Sequence, residues 1–125
     1  MARPRVTELH HASLIVADTE RALAFYEGVL GLQQDTSRPD LSFPGAWLRV
    51  GSHQIHLLEL DNPDPTKGRP AHGGRDRHIA LAVTDLDALA QILDTAAVAY
   101  SRSRSGRRAL FCRDPDGNAL EFIEA

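Results

Sequence analysis

Three histidines and one glutamate stand out in this 125-residue chain as groups that could do chemistry together: His11, His56, His78 and Glu121. His11 opens the stretch HASLIVAD and His78 opens HIALAVTD, and each stands seven residues ahead of an aspartate. The spacing from His11 to His78 is 67 residues, and from Asp18 to Asp85 it is again 67. A second superposition lays SHQIHLLE (52–59) over GNALEFIE (117–124) at an offset of 65, which puts His56 on Glu121. A single histidine in an apolar strand is ordinarily a hydrogen-bonded core or edge residue. Taken alone, Glu121 would be a solvent-facing strand residue. Four such residues at two equivalent positions of two equivalent units predict a shared site instead. Three imidazoles and a carboxylate suit one borderline divalent ion: Zn, Ni, Co, Mn or Fe(II).

The elements that must position these side chains follow from the repeat. The first unit reads as a strand at 8–16, a helix at about 19–30, and strands near 46–50 and 54–60. The second reads as a strand at 77–83, a helix at about 86–95, and strands near 98–102, 108–113 and 118–124. Asp18 and Asp85 each close a strand and can cap the helix that follows. Ala22, Leu23, Tyr26, Val29 and Leu30 share one helical face, as do Leu86, Leu89, Ala90 and Leu93. Gly31 is placed to end the first helix, and RDPDGN (113–118) reads as a tight turn. Alternation sets His11, Ser13 and Ile15 on one strand face and His10 on the other, so the repeat selects His11 over His10 as ligand. The expected organisation is a single domain over 1–125, with module one at about 7–60, a linker at 61–77 and module two at about 77–125. The linker holds three Pro and three Gly without periodicity and reads as a tether. His53 and His72, in turn and linker, are expected to be exposed.

Composition excludes several classes. A formal net charge of −3 leaves no electrostatic footprint for nucleic acid. No apolar run approaches the roughly 18 residues of a membrane span, and the N-terminus lacks the apolar stretch of a secretory signal. Cys112 is the one cysteine, expected as a buried thiol in a reducing compartment. A cytoplasmic protein with a small-molecule substrate, and with no nucleic-acid or membrane partner, is the expectation.

Three stretches, LHHASLIVADTERALAFYEGVLGL, RHIALAVTDLDAL and FCRDPDGNALEFIE, resemble the signatures of the vicinal oxygen chelate superfamily. That family includes glyoxalase I, bleomycin-resistance proteins and extradiol dioxygenases. The resemblance implies an α+β fold of two βαβββ modules, forming a U-shaped, partly open mixed β-barrel with flanking helices around one divalent ion. It implies His11, His56, His78 and Glu121 as metal ligands, and a homodimer, in some members with each site built across the two chains. A side chain at the position of His56 favours the glyoxalase I-like lyase or isomerase branch. There Glu121 would be the base that moves a proton next to a metal-polarised carbonyl by way of an enediolate, on a small oxo or thioester-type substrate. Ni, Zn, Co or Mn would serve that branch, and Fe(II) a dioxygenase. The alternatives are a metal-free drug-binding module of bleomycin-resistance type, an Fe(II) extradiol dioxygenase and a fosfomycin-type thiol transferase.

Departures from the family narrow the substrate. Bacterial glyoxalase I carries an Arg and an Asn that hold glutathione where this chain has Ile15 and Leu60, which puts glutathione in doubt. SRSRSGRRALF (101–111) is similar to the Ser-rich basic loop of fosfomycin enzymes, Ser105 especially, but Ser101 and Phe111 stand where Lys and Tyr are expected. Arg102, Arg104, Arg107 and Arg108 surround the hairpin turn at Ser105–Gly106. They read either as a solvated edge or as an anion clamp, with Arg102 and Arg104 on a common face. Ser13, Trp47, Arg102, Arg104 and Ser105 are the expected substrate-contacting residues, Trp47 as core or as a pocket wall.

Overall fold

The computed structural model describes residues 2–125. It contains two open four-stranded mixed sheets, each backed by a short helix, in an α+β arrangement of two βαβββ modules. Module one comprises β1 (His11–Val16), α1 (Thr19–Leu23, continuing as a wider π-helical turn over Ala24–Val29), β2 (Gln33–Gln34), β3 (Gly45–Val50) and β4 (His53–Glu59). Module two comprises β5 (His78–Val83), α2 (Leu86–Thr95), β6 (Tyr100–Arg102), β7 (Ala109–Arg113) and β8 (Ala119–Glu124). Strand order is β1-β4-β3-β2 in one sheet and β5-β8-β7-β6 in the other, so the same topology occurs twice. The outer pair is parallel in each, and the remaining pairs are antiparallel.

Alternation explains which face each residue takes. Val16, Ile55, Leu57, Leu110, Cys112, Leu120 and Phe122 pack with Tyr26, Leu86, Leu89 and Leu93 of the helices into one contiguous core that spans both modules. Intervening residues line the opposite, open face of each sheet. Those are His11, Ser13, Gln54, His56 and Trp47 in module one, and His78, Ala80, Ala119, Glu121 and Phe111 in module two. No helix among the described residues is long and apolar enough to cross a membrane.

Both helices start as the sequence suggests: Asp18 accepts from the Arg21 amide at 3.0 Å, and Asp85 from the Ala88 amide at 3.0 Å. β2 is the strand that the apolar pattern misses. Its two glutamines bear no alternation, yet shifting β6 by 67 residues lands on 33–35, so the repeat itself held the signal.

The modules are joined by buried polar contacts around the β7–β8 turn. The Tyr26 hydroxyl donates to Asp114 Oδ2 at 2.7 Å, and Asn118 Nδ2 donates to the Ile15 carbonyl at 3.2 Å. Asp114 Oδ1 accepts from the amides of Asp116 and Asn118, which closes the turn. Burial raises the pKa of the Tyr26 phenol, and it raises that of Asp114 in spite of these donors. Gly117 has φ +83, and a Cβ there would lie 3.1 Å from the Thr66 carbonyl, so two constraints demand glycine.

The linker is no loose tether. Asp76 accepts from Arg69 and from Arg113, each at 2.8 Å, while Arg113 also bonds the carbonyls of Pro70 and Gly117. Arg77 pairs with Asp64 at 2.9 Å. The short 3-10 turn Gly73–Arg75 lies on the open face of module two, where a Cβ on Gly73 would touch Ala119 and Phe111 at 3.4 Å. His72 is therefore half-buried rather than exposed, its ring 4.8 Å from that of Phe111. His53, expected in an exposed turn, is instead the first residue of β4 and only partly exposed.

The helix ends differ in one respect. Gly31 follows α1 at φ +75, whereas the residue after the cap of α2 is Ala97 at φ 58. A Cβ in left-handed backbone costs about 1 kcal/mol or more. Ala97→Gly is expected to stabilise the protein by about 0.5 kcal/mol, the extra backbone freedom of glycine in the unfolded chain offsetting part of the relief. Urea denaturation of the two proteins measures the difference.

Candidate metal centre

Parallel pairing places the four expected ligands on two identical diagonals. In module one His11 stands opposite Gln54 and Ser13 opposite His56; in module two His78 stands opposite Ala119 and Ala80 opposite Glu121. Each diagonal brings two donors together on an open face.

In module two the His78 Nε2 lies 3.1 Å from Glu121 Oε1. Two ligands on a tetrahedral ion with bonds of about 2.0–2.1 Å have donor atoms roughly 3.3 Å apart, so the pair has the bite of a chelate. The His78 Nδ1 is 2.9 Å from the Asp76 carbonyl, which can only accept, so Nδ1 carries the proton. His78 Nε2 then faces a carboxylate oxygen, and a proton or a cation between the two atoms satisfies both. Glu121 is almost wholly buried, its side chain 4% exposed. Its other oxygen accepts from Arg107 at 2.9 Å.

In module one the rings form a stack. Trp47 lies 4.3 Å from His56 with planes 7° apart, and His56 lies 3.9 Å from His11 with planes 13° apart. Gln54 donates to Asp35 at 2.7 Å, which leaves its carbonyl to accept from His56 Nε2 at 2.8 Å. Burial is the main cause that lowers the His56 pKa, helped by nearby His11, His10 and Arg38, so the ring is held in the neutral form that ligation requires. His10 precedes the strand, where alternation does not apply, and its Nδ1 turns back to within 2.9 Å of His11 Nδ1. The donor set thus fits a borderline divalent ion in kind. The two diagonals remain separate: among the described residues no three His, Cys, Asp or Glu side chains converge on one ion within a single chain.

The other expected site residues divide. Ser13 faces the same way as His56 and lines a cavity of about 300 Å³ between β1, β5 and the linker, together with Asp76, Arg77 and His78. Trp47 lies half-buried on the open face, stacked on His56. Arg102 pairs with Leu110 on the core-facing side, and its guanidinium goes to Asp87 of α2 at 3.9 Å and over the Tyr100 ring. Arg104 is exposed in the turn. Ser105 touches no ligand directly; its Oγ accepts from Arg107 Nε at 3.1 Å. Arg107, not Arg102 or Arg104, is the arginine at Glu121. Alternation cannot locate it, because it lies past the last residue of β6 in a turn with Gly106 at φ +83. Cys112 is buried and its thiol is pushed up to about 12, chiefly by desolvation.

A sequence profile of the Glyoxalase/Bleomycin resistance protein/Dioxygenase superfamily matches residues 8–122. The chain belongs to that superfamily. It is 29% identical over 122 residues to Glyoxylase I 4 of Arabidopsis thaliana, covering 94% of this chain and 70% of that protein. It is 27% identical to the lactoylglutathione lyase of Haemophilus influenzae, covering 94% and 92% of the two chains. In fold it resembles a fosfomycin resistance protein, FosX, from Listeria monocytogenes, solved with Mn(II) and a dihydroxypropylphosphonic acid. The TM-score is 0.76 at 17% identity, over 97% of this chain and 94% of that one.

The Asp76 carboxylate, 6% exposed, is held below the usual carboxylate range first by its hydrogen bonds to Arg69 and Arg113. A depressed folded-state pKa stabilises above the unfolded value of about 3.9, and that stabilisation is lost as pH falls toward the folded value. Asp76→Asn is expected to cost about 3 kcal/mol at pH 7. The gap between variant and wild type should narrow steadily below about pH 4, the unfolded carboxylate range. Urea titrations across that range test it; a gap that does not change with pH would mean that the charge is not what matters.

Proposed function

We propose that this protein is a metal-dependent, glyoxalase I-like lyase or isomerase, acting on a small oxo or thioester-type substrate in the cytoplasm. The observation that carries the reading is the His78–Glu121 pair: an imidazole and a buried carboxylate on one open face, their facing atoms at the spacing of a chelate. One divalent ion, Ni, Zn, Co or Mn, is held by His11 and His56 of one copy and by His78 and Glu121 of a second. The separation of the two diagonals within one chain supports a homodimer with sites built across it. The names of the Arabidopsis and Haemophilus relatives support the reaction class, and the Mn(II) of the Listeria protein supports a divalent ion.

A divalent ion held by these residues would supply Lewis-acid polarisation of a substrate carbonyl, which acidifies the neighbouring carbon. Glu121 takes the proton from that carbon and returns it to the next one. His78 orients Glu121, and the Asp76 carbonyl in turn fixes His78. His11 and His56 hold the opposite side as neutral donors, with Trp47 closing the wall beside them. A second reading keeps His56 as a support for His11 and leaves three ligands, as a dioxygenase would have. The bond from His56 Nε2 to Gln54 favours it. Fe(II) and oxygen consumption would distinguish that case.

Elemental mass spectrometry on protein purified without chelator should find about one Ni, Zn, Co or Mn per chain. His11→Ala and His78→Ala should each lose it, whereas His10→Ala should keep it. Refolding the two deficient variants together should restore about a quarter of the sites, the share that random pairing across a dimer makes whole. No restoration would mean that each site lies within one chain. Glu121→Gln should keep the fold and lower turnover of α-oxoaldehyde hemithioacetals by roughly 10²–10⁴; undiminished turnover would remove Glu121 as the base.

A further inference from the structure

We propose that Arg107 selects the substrate: it leaves Glu121 when an ion occupies that carboxylate and takes an anionic group of the substrate beside the reacting carbons. This rests on the metal-centre reading given above.

Arg107 differs from its neighbours in where it goes. Arg108 is held by Glu124 and Asp87, and Arg102 lies toward Asp87, all on the α2 side of the sheet. Arg107 reaches the open face instead. Its side chain is 56% exposed while its partner Glu121 is 4% exposed, so the guanidinium enters from the rim of the cup and touches the carboxylate at its floor. A small frame aims it: Ser103 Oγ meets Ser105 Oγ at 2.8 Å, Ser105 Oγ accepts from Arg107 Nε at 3.1 Å, and Gly106 at φ +83 permits the bend.

In this arrangement the Glu121 carboxylate neutralises Arg107. An ion drawn to the same carboxylate competes with the guanidinium for the oxygen it holds and repels it at short range. The released guanidinium remains framed by Ser105 and presents a planar fork of donors that matches a carboxylate or a phosphate. Since it starts 2.9 Å from an oxygen of Glu121, the anion it accepts lies near the atoms that the ion would hold. Ala80 and Phe111, directly opposite Glu121 on the two neighbouring strands, carry no charge to compete for that anion. The substrate class that follows is a compact oxo or hydroxy compound bearing a carboxylate or phosphate next to its reacting centre. A long thiol conjugate, with its charges far from the carbonyl, does not fit.

The test uses Co(II)-loaded full-length protein, with binding read from the cobalt absorption and from Trp47 fluorescence. The probes are α-hydroxybutyrate, malate, which replaces the terminal methyl of the first by a carboxylate, and phosphoglycerate with a free α-hydroxyl. Wild type should bind malate or phosphoglycerate roughly ten- to a hundred-fold more tightly than α-hydroxybutyrate. Which of the two leads identifies the anion as carboxylate or phosphate. Arg107→Gln should lose that preference while binding Co(II) at least as tightly as wild type, since a competing cation has gone from Glu121. Arg107→Lys should keep part of the preference. A preference unchanged in Arg107→Gln, or absent from loaded wild type, overturns the proposal. So does weakened Co(II) binding in Arg107→Gln, which would make the arginine a structural support for Glu121. Wild type that takes up no Co(II) overturns the metal reading itself, and this inference with it.

Discussion

The site depends on the parallel pairing of the first and last strands in each module. That pairing sets His11 one diagonal step from His56, and His78 the same step from Glu121. Side chains alternate with period two, so slipping β8 by one residue would turn Glu121 into the core and Leu120 and Phe122 out of it. An unpaired carboxylate among Leu110, Leu89 and Leu93 would cost far more than the ladder bonds could return. The apolar half of each strand therefore holds the polar half in place. The core under the sheets is what fixes the geometry above them.

With the register set, each open face must satisfy polar groups that its own sheet half-buries. Module two does so with charge: Arg107 and His78 flank Glu121. Module one uses neutral groups: Gln54, anchored by Asp35, receives the His56 proton, and Trp47 covers the ring. Trp47 and Phe111 occupy corresponding places, each directly opposite the second residue of its diagonal. The same scaffold thus carries an aromatic wall in both halves, with different donors beside it.

The duplication was legible because ligand type and helix-capping aspartates repeat at nearly constant offset; the paired βαβββ fold class came from the family resemblance. The caps at Asp18 and Asp85, the burial of Cys112 and the facing of Ser13 were legible for the same local reasons. What escaped depended on tertiary contacts without periodicity. β2 has two residues and no apolar alternation, since its partner strand supplies the burial. The linker reads as a Pro/Gly tether, and only the placement of Arg69 and Arg113 around Asp76 turns it into a strap over Phe111. Alternation was expected to aim Arg102 and Arg104 together, but β6 ends at Arg102, which its partner strand turns toward α2, while Arg104 and Arg107 lie in the turn.

Charge is distributed unequally within this acidic chain. Burial lowers the His56 pKa, which favours the uncharged form of that ring in module one. Module two contributes one carboxylate and one guanidinium that cancel each other. A divalent ion added to that set leaves the cup with a net positive charge, although the whole chain carries −3. Low-dielectric walls such as Trp47 and Phe111 focus such a field rather than dissipate it. On the proposed reading, a chain that carries −3 would accept anions at one place, and the ion at that site would also create the charge that selects what is bound.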